Sequence, residues 1–316
     1  MIPAATSPAT DRTLVVITPS LINNALRSAL TAAARAGGRP LLDDTARTSE
    51  PAHDPGAIVI CADAAAANLA TYVRIIVVLA APDASARFAA ADLNMDLRQG
   101  LWFSSHCLAH AHHAADTTNA LTLTDEQILT APSASLAAML RHLALDLPAD
   151  EERVISETFV AALKGEPQRL DAAIEEAMGK ALAVFDRRTG GAGWWSRDLF
   201  SYGDRPDETC PELIDVTGRA RILVFGPYLT LPAGRWRATV EFELCRDSAK
   251  RPYLIEFGAG ADFSRVETRA TGAQRATVSV EHQFAAPAPV EIRIWLARAA
   301  FHGSLAFAGA KIEAAA

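Results

Sequence analysis

The period of the hydrophobic pattern changes once along this chain, and the change falls on a run of glycines. Ahead of "RRTGGAGWW" (187–195), apolar residues form short continuous runs separated by alanine-rich stretches of helical spacing. Beyond it they alternate singly with polar residues. Continuous apolar runs suit parallel strands buried on both faces, whereas period two with one polar face suits an antiparallel sheet packed on one side only. One core does not serve both. At 316 residues the chain is also long for a single core. The expected division is therefore residues 1–189 and residues 190–316, with Gly190, Gly191 and Gly193 as the joint. Four of the five tryptophans lie after it.

In the first part, strands are expected over 13–18, 57–61, 74–79 and 120–124. Helices are expected over 21–35, 63–71, 84–91, 97–112, 133–145, 150–164 and 168–185. Alternating strands and helices imply an α/β domain, a parallel sheet with helices on both faces. The last two helices, with no strand between them, read as a hairpin packed on that layer. In the second part, "RWRATVEFEL" sets Trp236, Ala238, Val240, Phe242 and Leu244 against Arg235, Arg237, Thr239, Glu241 and Glu243. "ATVSVEHQF" and "VEIRIWLA" alternate in the same way, and "RILVFGPYLTL", "YLIEFGAG" and "SLAFAGAKIE" bring the expectation to about six strands. That is the pattern of an all-β, jelly-roll-like sandwich. "GPY" (226–228) reads as a kink in its strand.

A formal charge of −7 argues against nucleic acid or an anionic membrane as partner. Cys61, Cys107, Cys210 and Cys245 are scattered with no CxxC pair, as reduced cytosolic thiols are. "MIPAATSPATDR" lacks the basic and apolar regions of a signal peptide, and the longest apolar run, "RIIVVLAAP", is too short to span a membrane. A cytoplasmic location is the expectation.

"LVVITPSLINNALRSAL" runs a strand straight into a helix, where a nucleotide-binding fold places its phosphate loop. Pro19, Ser20, Leu21 and Ile22 supply neither the glycine nor the basic residue such a loop needs. Asn23 and Asn24 remain as helix caps. Farther on, "RIIVVLAAPDASARF" and "DEQILTAPSASLAAMLRHLALDLP" follow in order. Together these stretches, within residues 13 to about 165, resemble the bacterial sulfotransferases, which use the donor PAPS. The resemblance sets Pro19 to Asn24 at the donor loop, and Pro82 and Ser85 near the donor's 3′-phosphate. Glu126, Ile128, Leu129 and Pro132 fall in register with an acidic family segment. Ala80 stands where the family has its phosphate-binding arginine. Each lost charge-assisted contact costs about 1.5–3 kcal/mol, so the resemblance implies a donor site that no longer binds. No catalytic residue and no cofactor is assigned, and the expectation leans away from an enzyme.

"SSHCLAHAHHAAD" holds four of the eight histidines. On a helix His106, His110 and His113 share an arc, with Cys107 and His112 pointing elsewhere. An i, i+4 pair can bind zinc, but no glutamate flanks the first histidine and no distant ligand is evident. The expectation is an amphipathic helix without metal.

The second part resembles carbohydrate-binding modules in pattern, notably in "FGPYLTLPAGRWRATVEFEL". Alternation sets Trp295 beside Glu291 and Arg293, opposite Val290, Ile292, Ile294 and Leu296. An aromatic ring flanked by hydrogen-bonding groups suits a sugar, and Glu291, Arg293 and Trp295 are the candidate substrate-binding residues. The same position also suits a tryptophan packed beneath a helix or loop where the two parts meet. The favoured reading is a non-catalytic glycan-recognition or accessory protein in surface-polysaccharide assembly, its partners a carbohydrate or a polysaccharide-synthesis protein. An active sulfotransferase or other glycan-modifying transferase, and an assembly protein using the sandwich, are the alternatives.

Overall fold

The structure, a computed structural model, describes residues 12–43, 56–65, 67–164, 171–186, 191–269 and 274–315; Gly190 of the expected joint lies outside them. Two compact units are present, residues 1–94 with 110–170, and residues 95–109 with 171–316.

In the first unit β1 (Thr13–Ile17), β2 (Leu41–Asp43), β3 (Ile58–Cys61), β4 (Arg74–Leu79) and β5 (Leu121–Thr124) form a parallel sheet in the order β2-β3-β1-β4-β5. The helices of the chain are α1 (Asn23–Ala36), α2 (Pro82–Ala91), α3 (Leu97–Thr117), α4 (Asp125–Thr130), α5 (Pro132–His142), α6 (Ala149–Ala162) and α7 (Ala172–Leu182). Alternate residues of β1 part to opposite faces, as a strand's period of two requires. Val15 and Ile17 join Leu26 and Leu30 of α1, Met139 of α5 and Phe159 of α6. Leu14 and Val16 face Ala111 and Ala114 of α3. This is the α/β layer that the apolar runs imply.

Two expectations are corrected. Residues 63–71 form no α-helix where they are described, only a 3-10 turn at Leu69–Thr71. α6 and α7 do not pair as a hairpin, because α7 belongs to the second unit. There Met178, Ala181 and Leu182 are buried, and the Trp195 indole N–H donates to the Ala181 carbonyl at 3.2 Å. Trp195 is itself fully buried in that unit's core.

The second unit is a β-sandwich. Its short strands are β6 (Gly193–Ser196), β7 (Ser201–Tyr202), β8 (Arg205–Thr209) and β9 (Ile214–Asp215). Its long ones are β10 (Arg221–Leu231), β11 (Gly234–Leu244), β12 (Tyr253–Ala259), β13 (Asp262–Thr268), β14 (Gln274–Phe284), β15 (Ala288–Leu296) and β16 (Ser304–Ala314). One sheet runs β13-β12-β15-β10-β7-β8, and the other β14-β11-β16-β6 with β9 also on β16. Strands pair antiparallel throughout both. Inward-facing rings join them: Phe242 lies 6.0 Å from Tyr253, and Phe257 lies 5.6 Å from Phe284. Burying each such side chain contributes about 1.5–3 kcal/mol. β10 kinks at "GPY" as expected, with a cis Gly226–Pro227 bond and a register shift between Pro227 and Thr230.

Candidate functional site

The sandwich has two outward faces, and their chemistry differs. On the five-stranded sheet the outer positions form an exposed charge ladder. Glu281 takes Arg235 at 2.8 Å and Arg237 at 2.6 Å, Arg237 reaches Glu313 at 3.6 Å, and Lys311 meets Glu313 at 2.6 Å. The Arg237 hydrogen bond holds the Glu281 carboxyl below its usual range. Ladders of this kind in water are worth little individually.

The six-stranded sheet carries the opposite arrangement. Register aligns Arg265 of β13, Glu256 of β12, Arg293 of β15 and Phe225 of β10 in one row across the strands. The next row holds Phe263, Gly258, Glu291 and Pro227. Leu254, Trp295 and Ile222 form another on the far side. Inward neighbours on the same strands, Ile255, Phe257, Ile292 and Ile294, are fully buried, so these rows are the outer face. Yet Glu256 is only 4% exposed and Glu291 only 6%.

Both carboxylates are engaged beneath the groups that cover them. Glu256 accepts from the Trp295 indole N–H at 2.8 Å and pairs with Arg265 Nε at 2.9 Å, with Arg293 Nη1 at 3.7 Å. Glu291 accepts from the Tyr228 hydroxyl at 3.1 Å and from Arg293 Nη2 at 2.7 Å. The Arg293 guanidinium lies 4.1 Å from the centre of the Phe263 ring. Its hydrogen bond to Glu291 raises its pKa, and burial with the Glu291 charge pushes Tyr228 up to about 12. Removing one partner of a buried pair strands the other charge, so each member holds the rest in place.

Tyr228 adds a local constraint. Its φ is +65°, in the left-handed region, which costs a non-glycine residue about 1–2 kcal/mol. It is nonetheless 39% exposed, so burial does not explain an aromatic there. Its ring meets Phe225 edge-on at 6.4 Å. At the β7 side, Arg98 of α3 donates to Ser201 at 3.2 Å, and Ser105 accepts from the Thr230 backbone N–H at 3.1 Å.

The structure thus brings the expected Glu291, Arg293 and Trp295 together on one face, with Trp295 partly exposed. Sequence reasoning missed Glu256, Arg265, Phe263 and Tyr228, which come from three other strands. A faint signal existed in "YLIEF", where Glu256 sits in an otherwise apolar run as Glu291 does in its own.

The remaining candidates lie elsewhere. His106 stacks on Trp102 with ring centres 5.7 Å apart. Among the described residues no group of three or more His, Cys, Asp or Glu is placed to hold a metal. Just past the carboxyl end of β4 two backbone amides are occupied internally. Thr18 Oγ1 donates to the Val78 carbonyl at 2.9 Å and accepts from the Ala80 N–H at 2.6 Å, while Asp125 accepts from the Ala81 N–H at 2.9 Å. Burial raises the pKa of Asp125. In the sandwich, the Ser248 hydroxyl and surrounding backbone N–H groups pull the Cys245 thiol down to about 6.

No family model matches the sequence, that of the sulfotransferases included, and no curated protein matches it. Solved structures similar to parts of the chain include carbohydrate-binding modules. A CBM36-1 domain of a multidomain xylanase from the hindgut metagenome of Trinervitermes trinervoides aligns at TM-score 0.28 and 12% identity, over 40% of this chain and 99% of that one. The C-terminal CBM6 of LamC from Zobellia galactanivorans aligns at 0.24 and 10%, over 39% of this chain and 99% of its own. TmCBM61, solved with β-1,4-galactotriose, aligns at 0.24 and 10%, over 31% and 67%. No helix among the described residues is long and apolar enough to cross a membrane.

Proposed function

We propose that this protein recognises carbohydrate through the outer face of the six-stranded sheet, as a non-catalytic accessory to surface-polysaccharide assembly. One observation carries the reading: the face presents partly exposed rings, Trp295 and Tyr228, each tied by its polar hydrogen to a carboxylate buried beneath it. A sugar offers C–H faces to rings and hydroxyls to polar rims. Rings fixed before the ligand arrives lose little freedom on binding, which favours affinity. The opposite face is an exposed ladder of ion pairs with Trp194 in the row of Thr239 and Lys311, and among its described residues no buried carboxylate lies beneath that ring.

The test is binding of the whole chain to a panel of soluble glycans by calorimetry, repeated with Trp295→Ala. Binding by the wild type that falls at least tenfold in the variant supports the reading. A panel that leaves the wild type unbound, or an unaffected variant, overturns it.

A further inference from the structure

The two ring anchors are separated along one strand. Trp295 belongs to β15, and Tyr228 is tied to Glu291, four residues earlier on β15. At a strand rise of about 3.3 Å per residue the positions that carry or hold these rings, 295 and 291, stand about 13 Å apart along β15, farther than one pyranose ring reaches. Arg293, between them on the same strand face, has its guanidinium held by Glu291 and laid over Phe263. The charges of the face also balance, since Arg265 and Arg293 answer Glu256 and Glu291. No carboxylate or sulfate on a ligand would meet an uncompensated cation in the middle of this face.

We infer that the face takes a linear, uncharged glycan chain of at least three residues, lying along β15 with one sugar on Trp295 and another on Tyr228. The inference rests on the carbohydrate reading above and narrows it to a ligand class. Tyr228 is central to it. Tyr228 carries a backbone strain at φ +65° that glycine would not, its hydroxyl satisfies Glu291, and its ring is left partly exposed on the face.

The experiment is calorimetric titration of the full chain with neutral β-linked gluco- and xylo-oligosaccharides of one to six residues. An oligouronate series of the same lengths runs in parallel. The expected result is affinity that rises at least tenfold from monosaccharide to trisaccharide in a neutral series, with no such rise for the uronates. Trp295→Ala and Tyr228→Ala should each remove that rise. Trp295→Phe and Tyr228→Phe, which keep a ring, should retain most of it, and circular dichroism of all four variants reports their folding. Equal affinity for monomer and oligomer, or a preference for the uronates, overturns this inference while leaving carbohydrate recognition standing. Absence of binding to every sugar overturns both.

Discussion

Replacing Glu256 with glutamine tests whether buried carboxylates hold the ring face. The side chain is 4% exposed, and its oxygens take Trp295 Nε1 at 2.8 Å and Arg265 Nε at 2.9 Å. Glutamine keeps the length but leaves one acceptor oxygen and turns an NH2 group toward the remaining donors. A hydrogen bond to a buried charged group is worth about 1.5–3 kcal/mol. The Arg265 side chain is 62% exposed, so its share is under about 1 kcal/mol. The expected cost of Glu256→Gln is therefore about 2 kcal/mol. With a urea dependence of about 1–3 kcal/mol per molar, the midpoint should fall by roughly 1 M. All five tryptophans lie in the second unit, so their fluorescence follows that unit alone. Trp295→Phe removes the indole donor and completes a double-mutant cycle, read by circular dichroism. The coupling between the two changes should be about 1–2 kcal/mol. A cost below about 0.5 kcal/mol with coupling below about 0.3 kcal/mol would mean that the carboxylate is solvated and does not orient Trp295.

Thr18→Val, close to isosteric, removes the oxygen bridging the β1 and β4 ends, and should cost about 1–3 kcal/mol in denaturant unfolding followed by far-ultraviolet dichroism; an unchanged midpoint would refute the bridge. Cys245 should be alkylated by iodoacetamide at neutral pH faster than an ordinary thiol, with a rate rising through about pH 6, and Ser248→Ala should move that rise upward. The folded thiol lies below the ordinary thiol value of 9.0, so its contribution to stability is complete above that pH and is lost as pH falls through about 6. Limited proteolysis followed by mass spectrometry should give a stable C-terminal fragment beginning ahead of Ala172, because the Trp195 indole holds the Ala181 carbonyl. A stable fragment beginning at residue 190 or just beyond would support the division at 189/190 instead.

How far the sequence could be read depended on whether a segment carries its own pattern. β11, β14 and β15 alternate over most of their length, so their inward residues were plain from the letters alone. β6, β7 and β9 are short and owe their place to pairing with β16 and β10, a relation between distant residues. β2 is three residues long and has no period to detect. The alanine-rich stretch at 63–71 has helical propensity but no apolar stripe, and propensity alone is a weak guide without packing. The site follows the same logic. Glu291, Arg293 and Trp295 share one strand and were grouped by alternation. Glu256 and Tyr228 join them only through strand order and register, and neither is written in any local stretch.

The six-stranded sheet ends at β8, "RPDET", and every residue of that strand is exposed. A bare edge of backbone donors and acceptors is a template for another chain to dock strand to strand. Here Pro206 has no N–H to offer, and Arg205, Asp207 and Glu208 would bring charge against any incoming strand. Propagation of the sheet from molecule to molecule is therefore blocked at this border. At high concentration, amyloid-like growth would have to begin from some other border of the chain, and replacing Pro206 with a β-branched residue would open this one.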